Sequence, residues 1–96
     1  MRLMLTVEMD TPISNKLVAE GKMGPVMQGI LGKLAPEATY FYARGGRRAI
    51  MLVVDAPDGA SLPSLAEPFW HQLGASVEAV PVMNPEELGV GLSRLG

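Results

Sequence analysis

Four charged residues frame the chemistry open to this chain. Arg44 and Arg47 flank the Gly45-Gly46 pair in "YFYARGGRR", while Glu8 and Glu78 sit in two short alternating segments, "RLMLTVEM" and "SVEAVPVM". A guanidinium presents a planar fork of donors that grips carboxylates and enolates. A shielded carboxylate can accept and return a proton. With Tyr40 and Tyr42 beside them, such groups suit a pocket that orients an anionic or enolic ligand over an apolar floor. The competing reading is an ion-pair network that seals one end of a sheet or registers two subunits, and it carries more weight, because structural networks also collect charges of this kind. His71, the one histidine, is a candidate acid or base at the mouth of that pocket. A histidine near a helix C-terminus is more often a surface residue placed where positive charge is mildly favoured.

Other chemistries are excluded at this level. The chain has no cysteine, so it has no disulfide and no thiolate nucleophile. One histidine without cysteine makes a transition-metal site unexpected. "ARGGRR" is not a phosphate loop, because its glycines turn a hairpin and no helix N-terminus follows. No G-x-S-x-G sequence and no Ser-His-Asp arrangement is evident. The formal net charge of −2 and a pI near 5.2 argue against a nucleic-acid partner, which is normally met by a basic patch. No apolar run is long enough to span a membrane, and the N-terminal run is too short for a signal sequence, so a soluble cytoplasmic protein is expected. No cofactor is implied. The seven methionines read as core filler.

The elements that must position these residues follow from periodicity. Arg2 to Met9 alternate as a strand, ended by Asp10-Thr11-Pro12. Residues 13–20 suit a short helical turn stopped at Gly21. A helix restarts at Gly24-Pro25, with Met23, Val26, Met27, Ile30, Leu31 and Leu34 as one apolar stripe, and ends at Ala35-Pro36. Glu37 to Ala56 form a hairpin. Gly45-Gly46 supplies the positive φ that a two-residue turn requires at both positions. That turn sets Arg44 opposite Arg47, Tyr42 opposite Ala49 and Tyr40 opposite Met51. One face then carries Thr39, Phe41, Ala43, Ile50, Leu52 and Val54 toward helices, and the other carries the tyrosines and both arginines. Ala49 is small, which predicts room above the sheet beside Tyr42. Leu62 to Leu73 read as a helix with Leu62, Leu65, Phe69 and Leu73 inward and Gly74 beyond its end. Pro81 assigns the last strand to a sheet edge. Asn84, Pro85 and Glu87 start a final helix, which Gly89 and Gly91 make too weak to stand without docking.

The order β-α-β-β-α-β-α describes a single α+β domain over 1–96. Its first six elements form a ferredoxin-like βαββαβ unit with an antiparallel four-stranded sheet in the order 4-1-3-2, followed by a C-terminal helix. The open sheet face would hold Met4, Thr6, Tyr40, Tyr42, Ala49 and Met51, with Glu8, Arg44, Arg47 and Glu78 as a polar mouth at one end. Glu78 joins that mouth if Val77, Ala79 and Pro81 face the helices. With tyrosine left out and glycine counted, 55 of the 96 residues are apolar, about 57% against the usual about 45–50%. So apolar and aromatic a face should be covered.

This pattern resembles the dimeric α+β-barrel superfamily. It is most similar to short bacterial proteins of unknown function that carry "PEATYF" and "VEAVPVMNPEEL", a likeness over nearly the whole chain. More distantly, "VDAPDGASLPSLAEPFWHQL" and the following "SVEAV" strand resemble the second helix and last strand of muconolactone isomerase, with no catalytic residue matched. The resemblance implies a homodimer or higher homo-oligomer whose open face binds a small apolar or aromatic molecule. It leaves two alternatives: an isomerase, cyclase or cofactor-free oxygenase acting on a small organic acid or polyketide-like substrate, and a purely structural oligomerisation module.

Overall fold

The computed structural model describes residues 1–96 as β1 (Arg2–Glu8), α1 (Thr11–Ala19), α2 (Met23–Leu34), β2 (Ala38–Arg44), β3 (Arg47–Asp55), α3 (Leu62–Leu73), β4 (Ser76–Pro81) and α4 (Pro85–Ser93). The strands form one antiparallel sheet in the order β2-β3-β1-β4. This is the ferredoxin-like α+β arrangement, with Pro81 on an edge strand as its missing N–H requires. No helix is long and apolar enough to cross a membrane.

Alternation decides which residues enter the core. Leu3, Leu5 and Val7 of β1 and Ile50, Leu52 and Val54 of β3 are all buried, and they meet Met27 and Ile30 of α2 and Phe69 and Leu73 of α3. Val77 and Ala79 of β4 pack against the same cluster. Each large side chain so buried contributes about 1.5–3 kcal/mol. The hairpin has the expected register, with Arg44 opposite Arg47, Tyr42 opposite Ala49 and Tyr40 opposite Met51. Gly45 and Gly46 both have positive φ, 59° and 79°, the geometry a turn of this length demands.

Three local expectations are revised. The first connection holds two helices, and α1 begins at Thr11 because Asp10 caps it: Ile13 N donates to Asp10 Oδ2 at 3.0 Å. The inward stripe of α3 uses Leu65, Phe69 and Leu73 as expected and adds Ala66, while Leu62 at its first position stays exposed. The helix layer covers β1, β3 and β4 but not β2, so Phe41, on the helix side of the sheet, is 59% exposed rather than buried.

Helix α4 has the expected capping box. Glu87 N donates to Asn84 Oδ1 at 2.8 Å, and Asn84 N donates to Glu87 Oε1 at 2.9 Å. The docking expected of it is not met within the chain, since none of its residues is buried. Its one ion pair to the body joins Glu87 to Arg2 of β1. The radius of gyration is 15.2 Å and the extents are 56 × 25 × 18 Å, against about 12.5 Å for a compact chain of this length. The register explains the elongation. Pro81 pairs with Leu3 at the start of β1, whereas the hairpin turn lies beyond the Glu8–Ala49 pair at its other end. Helix α4 and the hairpin tip therefore extend from opposite ends of the sheet.

Candidate functional site

Cross-strand partners share a face, so the open face can be assembled row by row. One row across the sheet is Tyr40, Met51, Thr6 and Glu78. The next is Tyr42, Ala49, Glu8 and Ser76, and the overhanging row is Arg44 and Arg47. Met4 continues the face on the other side, between Val53 and Val80. No helix covers these residues. Tyr40 is 63% exposed and Tyr42 and Val80 are exposed too, while Met4, Thr6, Met51 and Val53 are half-buried.

The polar end brings together all four charged residues picked out in the sequence, one from each strand. Arg47 Nη1 lies 3.8 Å from Glu8 Oε1. Arg44 Nη1 donates to Glu78 Oε2 at 3.2 Å. The hydrogen bond to Glu78, and then its charge, raise the Arg44 pKa above its ordinary value, so this guanidinium is a fixed positive charge. The carboxylates are acceptors for arginines here, and neither is sequestered from water.

Two features differ from the sequence reading. Ala49 is 2% exposed, so no room remains above it. Tyr42 and Glu8 flank it directly, and Arg47 leans toward Glu8. His71 lies on α3, in the helix layer on the other side of the sheet from Glu8, Arg44, Arg47 and Glu78. It borders a shallow polar groove of about 370 Å³ with Lys33, Glu67 and Gln72.

A larger concavity is also on the helix side. It is a cleft of about 530 Å³ between α1, α2 and the hairpin, floored by Val18, Met23, Met27 and Phe41, with Asn15 and Arg48 at its polar edge. Arg48 Nη1 donates to Ser14 Oγ and to Asn15 Oδ1, both at 2.8 Å. Sequence reasoning used two of the three arginines after and before the glycine pair and passed over Arg48. The signal was present: Arg48 has the parity of Ile50, Leu52 and Val54, so it must point to the helix side. No group of three or more His, Asp or Glu side chains is arranged to hold a metal ion.

Fold and site together define a small ferredoxin-like α+β protein with one sheet face uncovered and a cleft behind the other. Among solved structures, the chain is similar to uncharacterized protein TM1266 from Thermotoga maritima, with a TM-score of 0.51 and 17% identity over 85% of this chain and 95% of that one. It is also similar to the de novo designed protein Ferredog-Diesel, with a TM-score of 0.46 and 7% identity over 84% of this chain and 85% of that one. The first likeness is one of fold. No family model matches the chain, and no curated protein matches it.

Proposed function

We propose that this protein works as a homodimer whose open sheet faces stack on one another, and that the stacked faces hold a small apolar or aromatic molecule. The observation that carries this reading is the uncovered face itself: Tyr40, Tyr42, Met4, Met51, Val53 and Val80 form one continuous apolar and aromatic surface on a 96-residue chain. Contiguous apolar surface of this kind marks an interaction site in a soluble domain. Antiparallel sheets that stack lie about 10 Å apart, which suits tyrosines and methionines interleaved from both copies. In that assembly the tyrosines would wall a shared chamber. The Arg44–Glu78 and Arg47–Glu8 pairs would then stand at its rim, where paired charges set register and orientation.

Light scattering at micromolar concentration tests the assembly, with an expected mass of at least twice the 10.2 kDa chain. A monomer at that concentration would remove the reading. Thermal melting against a panel of aromatic and aliphatic compounds tests the chamber, since a ligand that binds only the native state raises the melting temperature. A panel that leaves the melt unmoved would reduce the open face to an assembly surface alone.

A further inference from the structure

We infer that the helix-side cleft is a second binding site, which borders the open face at Tyr42, Arg47 and Ala49, and that it takes small amphiphilic carboxylates, with Arg48 gripping the carboxylate and the tail lying along Phe41, Met23 and Met27. Four observations carry this. The cleft has a volume of about 530 Å³, within the roughly 300–1,000 Å³ typical of small-molecule sites. Its walls are mainly apolar, and Phe41 is exposed into solvent with no helix over it.

The charge of the cleft runs against that of the chain. The protein has a net charge of −2, yet the cleft lining includes Arg47 and Arg48 and neither Asp nor Glu. Arg47 is drawn toward Glu8 on the far face. Arg48 makes no ion pair at all, unlike Arg2, Arg44 and Arg47.

Arg48 is nevertheless held in place. Nη1 is fixed by two neutral acceptors, Ser14 Oγ and Asn15 Oδ1. Ser14 is fully buried and donates in turn to Thr11 O at 3.2 Å. Nη2 and Nε make no hydrogen bond within the chain. A guanidinium oriented by neutral oxygens keeps its full charge and a free edge of two donors, the geometry that accepts a carboxylate through two parallel hydrogen bonds. Met23 and Met27 suit a tail of variable shape, because thioether side chains adapt to irregular apolar surfaces.

Sodium octanoate is the probe, with 1-octanol as the uncharged control of equal chain length. Calorimetric titration of the full chain should give saturable octanoate binding and much weaker octanol binding. In methionine methyl spectra, octanoate should shift Met23 and Met27 and leave Met4 and Met51 on the open face unmoved. Arg48→Gln should weaken octanoate roughly tenfold or more, the scale of a lost charge-assisted hydrogen bond, and leave octanol unchanged. Ala43→Trp keeps Arg48 and its two partners and blocks the cleft from the exposed β2 edge, so it should abolish binding even if the Arg48 variant folds poorly. Absence of octanoate binding at millimolar concentration, equal affinity for octanol, or binding indifferent to Ala43→Trp would each overturn the proposal. Shifts confined to Met4 and Met51 would overturn it while favouring the stacked-sheet chamber.

Discussion

Arg44 on β2 and Glu78 on β4 are hydrogen bonded at 3.2 Å although their strands form the two opposite edges of the sheet. The contact crosses β3 and β1 on the diagonal, from the overhanging hairpin row to the row of Thr6 and Met51. Right-handed twist makes this diagonal short, since it curls the corners of a four-stranded sheet toward one another on one face. Both side chains remain largely in water, 42% and 69% exposed, so the pair is worth little to the stability of one chain. Glu78→Gln should leave the melting temperature of the isolated chain nearly unchanged. It should move the Arg44 guanidinium signals in nitrogen-detected spectra, and raising the salt concentration of the native protein should reproduce part of that movement. A large loss of stability would mean the pair is shielded from solvent in the assembled protein.

Gly74 answers to two constraints at once. Its φ is 55°, and a Cβ there would meet Ile13 Cδ1 at 2.5 Å. The methyl end of Ile13 can swing aside, so the backbone conformation is the larger obstacle. A non-glycine residue in the left-handed region costs about 1–2 kcal/mol. Gly74→Ala should lower the unfolding free energy by that amount, read as a lower urea midpoint with an unchanged slope. The same substitution at Gly29, where the backbone is helical and a Cβ meets nothing, should instead stabilise α2 by several tenths of a kcal/mol.

Glu20 closes α1 and pairs with Lys22 at 2.9 Å. Its pKa lies below its ordinary 4.5, chiefly through the side-chain hydrogen bond from Lys22, with smaller contributions from the charges of Lys22 and Lys16. A carboxylate whose pKa is depressed in the native state favours folding above its unfolded value, and that contribution is lost as the pH falls through the native pKa. The carboxylate is in water, so the effect on stability is small. Carbon-detected titration should place Glu20 below its ordinary 4.5, and Lys22→Gln should bring it back toward that value. An unmoved titration in that variant would show the pairing to be absent in solution.

Periodicity and turn chemistry made much of this fold legible. Gly45-Gly46 dictates a two-residue turn, and from that turn the register of Tyr40, Tyr42, Ala49 and Met51 follows without further information. The capping box of Asn84 and Glu87 was equally local. What periodicity does not carry is lateral coverage. Nothing in the pattern of Phe41 and Ala43 says that the helices stop short of β2, because that depends on how three helices share the width of a four-stranded sheet. The closure over Ala49 was hidden for a related reason: side chains from β1 and β2 close over it, and their reach is not read from residue size at one position. The hydrogen bonds from Arg48 to Ser14 and Asn15 span 34 and 33 residues and emerge only when α1 is set against β3.

Met51 stands at the middle of the open face, between Thr6 and Tyr40. In a single chain it is half-buried, so Met51→Glu can send its carboxylate to water and the monomer should keep its fold. Between two stacked sheets the same carboxylate would be desolvated without a partner, which costs several kcal/mol. The expected outcome is a scattering mass that falls to one chain while far-ultraviolet circular dichroism is retained. A variant that keeps the mass of the native assembly would place the subunit contact elsewhere than on this face.

Helix α4 supplies the sharpest test of assembly, because the chain alone gives it no reason to be apolar. Leu88 and Leu92 recur at a step of four on α4, Leu95 follows just beyond its end, and they are 46%, 56% and 81% exposed. Such a stripe is the mark of a packed helix face, yet no residue of α4 is buried and its one ion pair to the body is Arg2–Glu87. In a two-fold assembly each α4 would lie against the other copy, and any substitution would act twice. Burying a leucine is worth about 1.5–3 kcal/mol, so Leu92→Asp should weaken a dimer by at least twice that amount. Its melting temperature should cease to depend on protein concentration, whereas that of the native protein should rise with concentration. An exposed leucine on a solitary helix would behave otherwise: Leu92→Asp would change neither the mass nor the melt, and α4 would then have no part in the interface.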